Sequence, residues 1–189
     1  RVLEFGELAA PSLDVGLTWP QFRQVETGLQ GFDAWLSDHI AELRRNPGDD
    51  LMSQLISASE DGVFLNDREL RATAGLVLAA GFETTVNLLG SGIDLLVRHP
   101  DQLERLRHDP SLWANAVDEM LRMESPVQMT ARVAKQNLEL AGKRLAPGSL
   151  VVCVLAGGNR DPKVFENPDR FDVARPNANK HLSFSGGRH

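Results

Sequence analysis

Cysteine is nearly absent. The 189-residue chain has one, Cys153, so no disulfide can form within it, and the composition suits a reducing cytoplasm. Basic residues are outnumbered, 20 Lys and Arg against 26 Asp and Glu, and no basic face clusters along the chain. That balance, a net charge of −6, argues against a nucleic-acid surface. Long apolar runs are also lacking, with one exception at residues 72–93, where Glu83 is the single charge. Glycines at 75, 81, 90 and 92, with three threonines, an asparagine and a serine, make this run a poor bilayer span. A buried helix is the expectation instead, and no membrane span is expected. No positively charged, apolar leader opens the chain, which begins Arg-Val-Leu-Glu without Met, as a portion of something longer would. What is present is 42% hydrophobic and 24% charged, a globular balance with enough residues for one domain, or part of one, around a real core.

Helical periodicity dominates the first two thirds. Thr18-Trp19-Pro20-Gln21 has the form of a capping box. Phe22, Val25, Leu29, Phe32, Leu36, Ile40 and Leu43 then recur at spacings of three and four. Asn-Pro-Gly-Asp-Asp stops that helix, and a short one is expected over 50–57. Asn66-Asp67-Arg68-Glu69 is a second capping box, opening a helix that meets no proline before Pro100. The 67–98 stretch would be a rod of about 48 Å, apolar nearly all round. Two shorter helices follow, one from Pro100 and one from Pro110, with Asp109 as cap, ending before Pro126. Beyond Ser125, alternation at Leu138, Leu140 and at Leu150, Val152, Val154, broken by Ala-Gly-Lys and Pro-Gly turns, predicts a small sheet. The rest, rich in Pro, Asn, Asp and Gly, should be irregular but ordered. The expected class is mainly α with a small β region.

Glu83, Thr84 and Thr85 sit inside the oily rod. Glycine and paired β-branched threonines are weak helix formers, so Gly-Phe-Glu-Thr-Thr should loosen the helix locally. A carboxylate with no charged neighbour within a turn is costly to bury. Two readings are open here: a kink packed on a neighbour, with Glu83 paired to a distant arginine, or a groove whose carboxyl and hydroxyl relay protons into a cavity.

Three further motifs bear on the choice. Glu119 and Arg122 stand at i and i+3 on the second short helix, a pairing that usually decorates a solvated face. Periodicity agrees, since Trp113, Val117, Met120 and Leu121 form the apolar side and the two charges should project away from it. Asn-Arg-Asp-Pro-Lys-Val-Phe-Glu-Asn-Pro-Asp-Arg-Phe-Asp supplies Arg170 between turn-forming prolines and Phe171. The chain closes on Phe184-Ser-Gly-Gly187-Arg-His189.

In this order the motifs resemble the cytochrome P-450 haem-thiolate monooxygenases, of the soluble bacterial, actinobacterial type. Ala80-Gly81-Phe82-Glu83-Thr84 matches the small-Gly-x-acid-Thr motif of the family's long central helix. Glu119 and Arg122 match its ExxR helix, Arg170 the meander arginine of the same charge cluster, and Phe184, Gly187 and His189 the start of its haem-binding loop. The resemblance covers essentially the whole chain as one partial domain, 1–189: the C-terminal-half portion of a P-450 catalytic domain, without its N-terminal part. It implies haem b, dioxygen, and electrons from NAD(P)H delivered by a ferredoxin reductase and a ferredoxin. The substrate it implies is a hydrophobic small molecule, with oxygen inserted in the cytoplasm.

Carried over by position, Thr84 would hydrogen-bond dioxygen at the haem iron and Glu83 would gate proton delivery. Ala80 and Gly81 would lie against the haem, and Arg132 and His189 would bind its propionates. Glu119, Arg122 and Arg170 would be structural. Leu76, Val77, Ala80, Val127, Gln128, Met129 and Thr130 would line the substrate pocket. The family's axial thiolate is expected two residues beyond His189. Cys153, in an alternating apolar strand, should be a small buried hydrophobe rather than that ligand. The chain up to His189 should therefore not form a thiolate-ligated centre by itself. The competing readings are a non-catalytic helical structural or interaction module, or a decayed fragment.

Overall fold

A computed structural model describes residue 4 and residues 16–60 and 62–186. The chain divides into two units, residues 1–83 and 84–189.

In the first unit, helix α1 (Trp19–Arg45) begins as its capping box requires, the Gln21 Oε1 accepting the Thr18 backbone N–H at 2.9 Å. Its apolar stripe is buried mainly toward its C-terminal half. Leu36 and Ile40 pack with Leu70 and Ala74, flanked by Phe32, Trp35, Met52, Leu55 and Ile56. Helix α2 (Leu51–Ser57) is capped by Asp50, whose carboxylate accepts the Ser53 N–H. A hairpin of two-residue strands follows, β1 (Ser59–Glu60) and β2 (Val63–Phe64), which sequence periodicity had not signalled.

Helix α3 spans Asp67–Arg98, the length its caps predict. Asn66 and Glu69 close a complete capping box: Asn66 Oδ1 accepts the Glu69 N–H and Glu69 Oε2 accepts the Asn66 N–H, both at 3.0 Å. The helix continues without a break through Gly81, Glu83 and Thr84, so weak local propensity does not interrupt it. The expectation of burial fails over much of its surface: Leu76, Val77, Val86, Leu89, Ile93 and Val97 are all exposed. By length and composition alone, α3 is apolar enough to cross a membrane, a test that core helices also pass.

In the second unit, α4 (Pro100–His108), a 3-10 turn at Pro110–Leu112 and α5 (Trp113–Met123) follow. Asp109 caps the 3-10 turn, so the α-helix proper begins three residues later than the proline suggests. Leu95, Leu96, Leu106, Ala116, Met120, Phe171 and Val173 form the core. At Gly92, α3 comes so close to α5 that an added Cβ would lie 2.8 Å from the Met120 sulfur.

Two antiparallel pairs make the expected β region. Strand β3 (Met129–Val133) pairs with β6 (Leu150–Val154), and β4 (Leu138–Leu140) with β5 (Lys143–Leu145). Ala141 and Gly142 form the two-residue turn between β4 and β5, both at positive φ, 49° and 76°. That is the twist a tight hairpin favours. One helical turn, α6 (Leu155–Gly158), leads into the irregular segment at 159–180. The result is mainly helical with small sheets.

Candidate functional site

The second unit is organised around a carboxylate. Glu119 has no exposed surface and Arg122 is 1% exposed, whereas Trp113, on the side read as apolar, is 45% exposed. The expectation that Glu119 and Arg122 face solvent is therefore reversed. Apolar spacing on α5 identifies a face toward Met120 and Leu121, but the irregular segment after α6 covers the charged side as well.

Arg122 grips Glu119 with two parallel bonds, Nε to Oε2 at 2.7 Å and Nη2 to Oε1 at 2.9 Å. Its remaining donors reach backbone carbonyls, Nη1 to Asn159 and Pro168 and Nη2 to Arg170, and Nη2 also reaches the Met123 sulfur. The guanidinium also lies 5.1 Å from the centre of the Phe165 ring. A second arginine completes the cluster, and it is Arg175 rather than Arg170. Arg175 Nε donates to both Glu119 oxygens at 3.0 Å, while its terminal nitrogens donate to the carbonyls of Glu166, Asn167 and Arg170. The Asp172 N–H adds another bond to Glu119 Oε1. Arg170 keeps its side chain exposed and gives the cluster its carbonyl, which accepts from both arginines.

A signal for Arg175 does lie in the sequence. Phe171, Val173 and Arg175 are buried and alternate with half-buried Asp172 and Ala174, although the segment turns at 172–175, where the Arg175 N–H donates to the Asp172 carbonyl at 2.9 Å. Around this centre, Arg105 bonds Asp172 at 2.7 Å, and Gln102 accepts the Val173 N–H. Burial pushes the Asp172 carboxyl up. The Arg105 hydrogen bond, the Ala174 N–H and the charges of Arg105 and Arg170 outweigh it and hold the carboxyl below its ordinary value. Among the described residues every buried side-chain nitrogen and oxygen has a partner, as a buried charge cluster requires.

The other expected site residues fall in separate places. Glu83 and Thr84 are half-buried on α3, and among the described residues no arginine pairs with Glu83. Gly81 leaves its surroundings open, since an added Cβ would meet nothing within 4 Å. In the first unit Leu76, Val77 and Ala80 are exposed. In the second, Val127, Gln128 and Met129 are exposed and Thr130 is half-buried. Arg132 projects from β3, its guanidinium bonded to the carbonyl of Ala131 and to no carboxylate among the described residues. Phe184 is exposed, its ring tilted against His181 at 5.6 Å. Gly187 and His189 lie outside the described residues. Cys153 is half-buried rather than fully so, opposite Thr130 in the β3–β6 ladder.

A fully bonded Glu-Arg-Arg cluster holding an irregular segment, and a long helix carrying an acid-threonine pair, are features that the resemblance to the haem-thiolate class leads one to expect. Comparison with known proteins agrees. The family model "Cytochrome P450" matches residues 13–189, and the chain belongs to the cytochrome P450 family. It is 59% identical to the putative cytochrome P450 140 of Mycobacterium tuberculosis over all of its own length and 44% of that protein's. It is 42% identical to the biotin biosynthesis cytochrome P450 of Bacillus subtilis over 82% of this chain and 39% of that one. Among solved structures it is similar to P450BioI in complex with an acyl carrier protein bearing hexadec-9Z-enoic acid, with TM-score 0.91, 36% identity, and coverage of 100% of this chain and 48% of that one. CYP109E1 from Bacillus megaterium in complex with testosterone matches with TM-score 0.87, 31% identity, and coverage of 98% and 49%. The chain thus spans less than half the length of the curated relatives it matches.

The family's prosthetic group is haem b. Among the described residues one side chain fits its surround: Arg132, a cation without an acidic partner there, is suited to a propionate. They include no iron ligand. Cys153 lies in a paired strand rather than in a loop of free N–H groups, and no three His, Cys, Asp or Glu among the described residues cluster to hold a metal.

Proposed function

We propose that the whole protein is a cytoplasmic monooxygenase. It places one atom of dioxygen into a hydrophobic small molecule, with electrons drawn from NAD(P)H through a ferredoxin reductase and a ferredoxin. The observation that carries this reading is the buried Glu119–Arg122–Arg175 cluster in a chain of this family. This portion of the catalytic domain supplies the helix, the cluster and the first part of the haem-binding loop, and the iron's thiolate comes from a cysteine two positions past His189. Haem, when bound and reduced, supplies the activation of dioxygen.

The protein's own residues have three tasks. Thr84 offers a hydroxyl, and Glu83 beside it holds and passes a proton, with no arginine among the described residues to fix its charge. Arg132 binds a propionate through its guanidinium. Glu119, Arg122 and Arg175 keep the irregular segment rigid under the loop that starts at Phe184. Leu76, Val77 and Ala80 in the first unit, and Val127, Gln128, Met129 and Thr130 in the second, are each assigned to substrate contact. The fatty-acyl and steroid ligands of the two solved relatives support a hydrophobic substrate. The apolar surface of α3 is then covered by the remainder of the domain.

The full-length protein, reduced under carbon monoxide, should show a thiolate-type Soret band. In that protein Thr84→Ala should lower product formed per NAD(P)H consumed while leaving the band in place. Absence of the band, or unchanged coupling in the variant, would overturn the assignment of these roles.

A further inference from the structure

The charge cluster is not isolated from the start of the proposed haem-binding loop; two side chains given no role so far, Asn159 and Ser183, join them. Asn159, fully buried, follows the single turn of α6, and its N–H is held by the Leu155 carbonyl. Its own carbonyl accepts Arg122 Nη1 at 2.9 Å, so the backbone of Asn159 belongs to the cluster. Its side chain points the other way along the chain: Oδ1 accepts the Leu182 N–H at 2.6 Å and Nδ2 donates to Ser183 Oγ at 3.2 Å. Ser183 Oγ in turn donates to the carbonyl of Leu121 at 2.7 Å. Leu121 lies in the last turn of α5, where the helix has no N–H of its own to offer that carbonyl. The Ser183 N–H is also engaged, by His181 Nδ1 at 3.1 Å. Phe184, the next residue, begins the loop.

We propose that Asn159 and Ser183 are positioning residues that clamp residues 182–184 to the Glu119–Arg122–Arg175 cluster and so set where the haem-binding loop leaves the fold. This rests on the loop assignment made under the proposed function. Both groups are buried, so removing either leaves its partners unsatisfied at the base of the loop. Neither touches the proposed dioxygen side. Their effect is on how the loop is held.

Two measurements separate the clamp from the haem assignment. Hydrogen exchange on the full-length protein reads the clamp alone: Asn159→Ala should speed exchange of the Leu182 amide on the order of tenfold while the Asp172 amide, bonded to Glu119, stays protected. Unchanged Leu182 exchange, or equal loosening of both amides, would overturn the clamp. The second measurement uses the full-length haem protein. Ser183→Ala should raise the rate of haem loss on the order of tenfold and the fraction of the reduced carbon monoxide complex without a thiolate-type band. Ser125→Ala removes another buried hydroxyl, bonded to the Val127 carbonyl, and serves as the control at matched melting temperature. Equal behaviour of the two serine variants would reduce Ser183 to general stability and overturn its positioning role. A missing thiolate band in the unaltered protein would instead overturn the loop assignment, whatever the exchange result.

Discussion

Helix α5 and helix α3 invert the usual rule in opposite directions. On α5 a carboxylate and a guanidinium are sealed from water, each hydrogen bond accounted for. On α3, leucine, isoleucine and valine face outward: Leu89 is 61% exposed and Ile93 62%. The difference lies in what covers each helix. The segment at 159–180 folds back over α5 and brings its own donors, so charge can be buried there. The described residues offer α3 no such cover along these positions. Residue type alone therefore decides neither case, and supply of partners decides both.

The comparison can be tested by breaking each side. The largest effect should follow Glu119→Ala, which strands two buried guanidinium groups and should cost about 3–5 kcal/mol in urea unfolding. Next comes a contrast between two arginines. Arg175→Ala should cost about 2–4 kcal/mol, because its partner Glu119 stays buried. Arg170→Ala should fall within about 0.5 kcal/mol, because its carbonyl survives the change and its exposed side chain adds only a solvated charge near Asp172.

A smaller effect is expected at the margin of the cluster. Asp172 has its carboxyl held below the ordinary value, so its contribution is fully present above the unfolded carboxylate range, roughly pH 4. It is lost as pH falls through the lower, folded value. Asp172→Asn should therefore flatten the acid side of the stability–pH curve while leaving the neutral region's slope unchanged. In the β4–β5 turn, Ala141→Asn should add about 0.5 kcal/mol, since asparagine tolerates positive φ better than alanine.

The smallest effect belongs to α3. Leu89→Glu should change the stability of this chain by no more than about 0.5 kcal/mol. It should also reduce self-association in sedimentation, because no buried contact is lost and an apolar patch is interrupted. A large destabilisation there would mean that α3 is covered after all.

The extent of α3, both capping boxes and the β region were legible because each rests on local chemistry: a cap beside its helix, a turn beside its strands. What misled was the environment of α5. A period of three and four finds where the apolar side chains lie, but cannot see a segment 40 or so residues onward arriving with arginine and backbone donors of its own. Arg170 sits among prolines and phenylalanine, which draws the eye to it, whereas the turn at 172–175 is what brings Arg175 inward. The acid-threonine pair was legible as an anomaly, and the family gives it a meaning that helix propensity alone does not.

Glu119 and Arg175 stand 56 positions apart in the chain. A junction with that separation requires closure of a long loop before any of its bonds can form, and its charges must shed water together. It is therefore an unlikely seed for folding and a natural last lock. Helices α4 and α5 can gather around Leu95, Leu106 and Met120 first, and the arginine then closes the segment over them. Interactions formed after the transition state act on escape from the native state rather than on its formation. In kinetic terms the cluster should set how slowly this unit comes apart, with little influence on how quickly it assembles.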